Sequence, residues 1–139
     1  MILLKKEYII DPDNPLSYGE ASSNFKKTLK QLGIPSDVIK RTAIAMYEAE
    51  INTIIHGKGG RAEAQIDDER IQIIFEDQGP GIPDIEMAMQ EGYSTASSEI
   101  REMGFGAGLG LPNIKKNSSN LQINSAPGKG TRVTISIDL

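Results

Sequence analysis

The chain has no cysteine, so disulfide staples and thiolate metal centres are excluded, and a reducing compartment suits it. It also has no block of like charge. Acids and bases are interspersed around a net charge of -4, which argues against nucleic acid as a default partner. No apolar run approaches the roughly 18 residues that a membrane span requires. The opening M-I-L-L-K-K-E lacks the apolar core and small-residue cleavage site of a secretory signal. Aromatic residues are few at 5%, and His56 is the single histidine. These absences leave a soluble cytoplasmic protein as the expectation. A length of 139 residues suits one domain, 1–139, with a core of two layers.

Glycine is where the sequence is unusual. From Gly104 to Leu111 it reads G-F-G-A-G-L-G-L. Glycines at every second position pack poorly in a strand and cost roughly 1 kcal/mol each in a helix interior. Such a run suits a place where backbone N–H groups approach a ligand closely. Pro112, Asn113, Ile114 and Lys115 follow and can open a helix with the proline in its first turn. A glycine loop feeding a helix N-terminus offers unpaired donors and about half a unit of positive charge, a natural place for phosphate.

Periodicity organises the rest. Residues 3 to 10 read as an edge strand, and Asp11 to Pro15 is turn chemistry. Ala21, Phe25, Leu29 and Leu32 recur at helical spacing between Tyr18 and Leu32, and Gly33 stops that helix. A second helix starts at Pro35-Ser36-Asp37 and runs about 20 residues on the helical pattern, with Gly57 as its expected C-terminal cap. Ala62 to Ile66 and Ile71 to Phe75 form a hairpin signature around Asp67 to Arg70. A short helix is expected from Ile85 to Met89, then a polar stretch from Gly92 to Gly104 without a clear period. A helix from about Pro112 to Asn117 precedes a strand at Leu121 and Ile123, a turn at Pro127 to Gly130, and a last strand through Val133, Ile135 and Ile137. The pattern predicts an α+β two-layer sandwich.

Three groups of residues carry chemistry. Glu48 and Asn52 interrupt the second helix at i and i+4, and so share a face. Taken alone, they read equally well as a solvated acid and a satisfied core amide; the functional alternative faces them toward a metal-bound phosphate or an activated water. Asp77 ends a strand and is followed by Gln78-Gly79-Pro80-Gly81-Ile82. A carboxylate there can accept a hydrogen bond from an exocyclic amine such as that of adenine, and the glycines let backbone approach a flat ring. Alone, this pattern reads more readily as a tight turn. His56, one turn beyond Asn52, reads more readily as a capping or packing residue than as a phosphate neighbour.

In order, E-x-x-x-N, D-x-G-x-G-I and G-x-G-x-G-L-G-L resemble the asparagine box and the two glycine boxes of the GHKL (Bergerat-fold) ATPase superfamily. The match runs roughly from residue 44 to 137, and Gly128-Lys129-Gly130-Thr131 resembles the family's G-x-G-T. The tract E-A-E-I-N-T-I-I-H-G looks like the corresponding box of the bacterial anti-sigma and stressosome serine kinases, with Thr53 in place of the common alanine. Ile55 stands where histidine kinases usually carry lysine, and Pro112 follows the second glycine box as in the switch-kinase branch.

The resemblance implies a Bergerat fold, with a mixed, mostly antiparallel sheet covered on one face by helices. It implies ATP and Mg²⁺ as cofactors. Asn52 would ligate the metal and Asp77 would read the adenine amine, with Gly79, Gly81 and Ile82 about the base. Gly104, Phe105, Gly106, Ala107, Gly108, Leu109 and Gly110 would wrap the phosphates. Thr131 would help hold the aspartate through water, and Glu48 would be general base on a serine hydroxyl. The implied activity is a regulatory serine/threonine-protein kinase, with residues 92–103 as an ATP lid. Its partners would be a STAS-domain antagonist or a sigma factor, and a second copy of the chain, but neither nucleic acid nor membrane. Two alternatives stand beside it: an ATP-dependent anti-sigma binding module, and a nucleotide-sensing ATPase with water as acceptor.

Overall fold

A computed structural model describes residues 2–82, 89 and 110–139. The segment expected as a lid, the short helix expected from Ile85, and Gly104 to Leu109 of the glycine run lie outside the described residues.

The described elements are β1 (Ile2–Ile10), a single 3-10 turn (Pro15–Ser17), α1 (Glu20–Gln31), α2 (Ser36–Ile55), β2 (Gly60–Asp67), β3 (Arg70–Asp77), α3 (Gly110–Asn117), β4 (Asn120–Ser125) and β5 (Thr131–Asp138). The five strands form one sheet in the order β1-β2-β3-β5-β4. A mixed, mostly antiparallel sheet covered on one face by helices was the expectation, and the α+β sandwich is as expected. Every described pairing is antiparallel, because β2 and β3 form a tight hairpin, β4 returns directly as β5, and β5 lies against β3 after the α3 excursion. The hairpin turn is fastened by Asp67, whose Oδ1 accepts the Glu69 and Arg70 N–H groups at 2.8 and 2.7 Å.

Alternation along the strands separates the two faces. One row of the register joins Lys6, Ala64, Ile73, Ile135 and Leu121 across all five strands. Ala64, Ile73 and Ile135 in it are completely buried. The helices cover this face, and α2 is central: it touches α1, α3 and strands β1, β2, β3 and β5. Phe25 and Leu29 of α1 and Ala45 and Met46 of α2 are fully buried at this interface. The opposite face carries Arg61, Glu63, Gln72, Glu76 and Arg132, with ion pairs from Glu76 to Arg61 and Arg132 at 3.6 and 3.5 Å.

Two local readings are corrected. The helix expected from Tyr18 starts at Glu20, after Gly19 in a left-handed conformation. Its N-terminus is capped from a distance by Glu50, which is 2% exposed and accepts the N–H groups of Gly19, Ala21 and Ser22 at 3.0, 3.3 and 3.0 Å. Glu48 and Asn52 are therefore not the sole polar interruptions of α2. The buried one is Glu50, stable there because three orphan helix donors satisfy its charge. At the other end of α2, Gly57 is not the left-handed cap. Lys58 and Gly59 take the positive φ values of 58° and 93°, and the Gly59 N–H closes onto the Thr53 carbonyl at 2.8 Å.

Candidate functional site

The C-terminal half of α2 sets Glu48, Asn52 and His56 four residues apart along one stripe. The first turn of α3 rests on this stripe. A Cβ at Gly110 would lie 2.9 Å from both Nδ2 and Oδ1 of Asn52, so α3 approaches α2 this closely only because residue 110 has no side chain. One turn further along α3, the side chain of Asn113 hydrogen-bonds Glu48. Burial pushes the Glu48 carboxyl above its ordinary value, and the Asn113 bond opposes that shift. Sequence reading passed over Asn113; its one signal was a position three residues after Gly110, on the same helix face.

The second cluster forms where β3, β4 and β5 end together. Asp77 closes β3 opposite Thr131 at the start of β5. Its Oδ1 accepts the Gly79 N–H at 2.9 Å, and the Thr131 backbone supplies a further hydrogen bond. The other side of the carboxylate lies against Gly57, where any Cβ would collide with it. A Cβ at Gly79 would in turn stand 2.9 Å from the Cα and carbonyl oxygen of Gly57. Three residues thus form a floor of one carboxylate between two bare backbones. This is the physical reason for the glycine at 57, whose N–H also closes the end of α2 on the Asn52 carbonyl at 3.2 Å.

Ser125, at the end of β4, fastens the loop beyond Asp77. Its Oγ accepts the Ile82 N–H at 2.7 Å, donates to the Gly130 carbonyl at 3.0 Å, and lies 2.9 Å from Thr131 Oγ1. The Gly128 N–H adds a bond to the Pro80 carbonyl at 2.7 Å. Gly81 and Gly130 hold φ of 81° and 75°, and side chains there would strike the carbonyls of Ala126 and Asp77. Ser125 had no sequence signal beyond standing just before a Pro-Gly turn.

His56 links the clusters. Burial pushes its pKa below the usual imidazole value, and the Asp77 carboxylate partly offsets this. For Asp77 the balance is reversed: burial raises its pKa, and the backbone bonds from Gly79 and Thr131, then His56, oppose the rise. The structure therefore brings together Glu48, Asn52 and Gly110 on one side, and Asp77, Gly79, Gly81, Ile82 and Thr131 on the other. Phe105, Ala107, Leu109 and the glycines from Gly104 to Gly108 fall outside the described residues.

The arrangement fits a flat heterocycle. Asp77 offers an acceptor fixed by backbone donors, and the glycines at 57 and 79 let bare backbone close tightly around it. Among the described residues no group of three or more His, Cys, Asp or Glu is placed to cage a metal ion. The Asn52 oxygen fits a cation that takes its other ligands from phosphate and water, the usual manner of Mg²⁺.

This fold and site define an ATPase domain of the GHKL class. The chain belongs to the family of histidine kinase-, DNA gyrase B- and HSP90-like ATPases, whose model matches residues 38–139. Among similar proteins is the serine/threonine-protein kinase RsbT of Bacillus subtilis (strain 168), 35% identical over 112 residues covering 78% of each chain. Another is the anti-sigma F factor of Clostridium kluyveri, 36% identical over 110 residues, covering 76% of this chain and 74% of that protein. The solved RsbU and RsbW domains of Rv1364c from Mycobacterium tuberculosis superpose with a TM-score of 0.65 at 16% identity, over 96% of this chain and 31% of that one. The mycobacterial sensor histidine kinase MprB gives 0.56 at 17% identity, over 97% of both chains. At these identities the structural matches establish the fold alone.

Proposed function

We propose that this domain binds Mg-ATP and phosphorylates a serine or threonine of a regulatory partner protein in the cytoplasm. The observation that carries this is the convergence, around one end of α2, of the Asp77 cradle with the Glu48–Asn52 stripe at the N-terminus of α3. Asp77 accepts the adenine amine, with Gly79 and Gly81 flanking the base and Ile82 in the loop that Ser125 fastens. Thr131 holds the aspartate from β5. Bound Mg²⁺ would screen the charge of the phosphates, and Asn52 is the residue that would hold it. The glycines from Gly104 to Gly110, with Phe105, Ala107 and Leu109 between them, lead the chain into α3 and would supply N–H donors to the phosphates. Glu48, held by Asn113, accepts the proton of the acceptor hydroxyl. Phosphoryl transfer asks mainly for positioning and charge stabilisation, so this sparse set is sufficient.

Similarity to a serine/threonine-protein kinase over most of the chain supports the catalytic reading, with a STAS-type antagonist as acceptor. Similarity to anti-sigma F factors supports a second reading, an ATP-dependent grip on a sigma factor. The two separate in one experiment. The purified chain is incubated with γ-labelled ATP, Mg²⁺ and either a STAS-domain protein or a sigma factor, and label transfer and complex formation are both measured. Label on a serine or threonine of the STAS protein supports the kinase. Tight ATP-dependent association with the sigma factor and no label on either protein rejects the kinase in favour of the binding module. ATP hydrolysis with neither outcome leaves the nucleotide-sensing ATPase.

A further inference from the structure

Asp77, Thr131 and Ser125 form one row across β3, β5 and β4, because Thr131 is registered opposite Asp77 on one side and Ser125 on the other. Residues directly opposite one another share a face of the sheet. This row lies two residues beyond the buried pair Phe75 and Val133, so it belongs to the helix-covered face. Ser125 is half-buried there, and its hydroxyl has one proton for three polar neighbours. The Ile82 N–H, 2.7 Å away, is a donor, so Ser125 Oγ accepts from it. The Gly130 carbonyl, 3.0 Å away, is an acceptor, so the proton of Ser125 goes there. Thr131 Oγ1, at 2.9 Å, is then left to donate. The opposite assignment would set the lone pairs of Ser125 against the Gly130 oxygen with no proton between them.

The hydroxyl proton of Thr131 is thereby committed to Ser125, and Thr131 Oγ1 has only lone pairs left for whatever lies beside Asp77. Asp77 has the same polarity. Its carboxylate accepts, and the donors that hold it are the backbone N–H groups of Gly79 and Thr131. A water bridging Asp77 and Thr131 would donate one proton to each and turn its own lone pairs outward. With or without such a water, this edge of the site offers acceptors.

We propose that Ser125 is a positioning residue for base selection: by taking the Thr131 proton it keeps the edge beside Asp77 acceptor-only, which selects a purine with a 6-amino group over one with a 6-oxo group. The inference rests on the adenine reading of this site. An exocyclic amine brings N–H donors to these acceptors, whereas a 6-oxo group brings one more acceptor and is repelled. Ser125 acts here through Thr131 and without touching the base. In its absence the Thr131 hydroxyl turns freely and donates to a 6-oxo group or to Asp77 itself. Either outcome weakens the preference.

The test is calorimetric titration of the full chain with Mg²⁺ and either ATP or inosine triphosphate, which carries a 6-oxo group in place of the amine. The parent should prefer ATP. In Ser125→Ala the ratio of the two affinities should fall by about tenfold, the value of one hydrogen bond gained by the wrong base. Ser125→Thr keeps the hydroxyl and should restore the parental ratio. A loop merely loosened by loss of the Ile82 bond would weaken both nucleotides alike, and an unchanged ratio in Ser125→Ala would overturn the proposal. Thr131→Val gives the sign even where Ser125→Ala fails to fold. If Thr131 shows lone pairs, the methyl removes an acceptor from ATP and a repulsion from inosine triphosphate, and the ratio falls. A ratio that holds or rises in Thr131→Val would mean that this hydroxyl is no acceptor, and the proposal fails. A parent that binds neither nucleotide overturns the adenine reading and this proposal with it. A parent that binds both without preference overturns the proposal alone.

Discussion

Asp77 is the residue whose chemistry is most constrained by its surroundings. One oxygen is committed to the Gly79 N–H and the carboxylate lies on Gly57, so it can present an acceptor but no donor to a bound ring. Asp77→Asn replaces that acceptor with a group that can turn an amide toward the adenine amine. A hydrogen bond to a charged group contributes about 1.5–3 kcal/mol, so ATP affinity should fall roughly ten- to hundredfold. Calorimetry on a variant with an unchanged circular dichroism spectrum checks this, and unchanged affinity would remove Asp77 from the site. Glu48 yields two further expectations. If it takes the acceptor proton, Glu48→Ala should retain Mg-ATP binding while phosphoryl transfer falls by about 10²–10⁴; Asn52→Ala should lose metal-dependent binding as well. The raised pKa of Glu48 also fixes a sign. The folded state holds that proton to higher pH than the unfolded chain does, so this group costs stability progressively as pH rises from the ordinary carboxylate value through the raised one. Glu48→Gln should therefore gain stability over the parent as pH rises through that window and plateau above it, as read by urea melts at a series of pH values. A gain that is flat with pH would mean that burial of the charge is not the cause.

At the scale of elements, the contact between α1 and α2 depends on a carboxylate rather than on apolar fit alone. Glu50 satisfies three N–H groups at the start of α1, two of them belonging to the buried residues Ala21 and Ser22. Glu50→Ala leaves these donors without an acceptor where water has little access, at a cost of about 3 kcal/mol or more. Glu50→Gln keeps one acceptor oxygen and should cost less. Chemical denaturation of both variants orders them, and equal stability of the parent and the alanine variant would show that α1 does not need the cap. The contact between α2 and α3 is of another kind, set by the absence of a side chain at Gly110. Gly110→Ala would press a methyl onto the Asn52 amide and drive the helices apart where the phosphates are proposed to bind.

For the whole molecule, ligand binding should be visible as stability. A ligand at a hundred times its dissociation constant stabilises the folded state by about 2.7 kcal/mol. Mg-ATP should accordingly raise the melting temperature of the parent by several degrees, and with affinity ten- to hundredfold weaker the shift in Asp77→Asn should fall to about half or less.

Among the described residues, the amino-acid sequence by itself determined what depends on neighbours along the chain. The period-two runs at Ala62–Ile66 and Val133–Ile137, the 3.6-residue period of α1 and α2, and the turn at Asp67 follow from local backbone preference and from which face of each element can be buried. The tertiary structure decided what depends on contacts distant in sequence. Glu48 and Glu50 lie two residues apart on one helix, and no local pattern says that the first meets Asn113 while the second caps α1. Gly57 sits where a helix cap is expected, and its purpose appears only when β3 carries Asp77 against it. Ser125 and Ile82 are 43 residues apart, and their bond exists only because β4 and β3 end at the same edge of the fold. A buried polar group is stable only beside its partner, and that partner is chosen by packing in three dimensions.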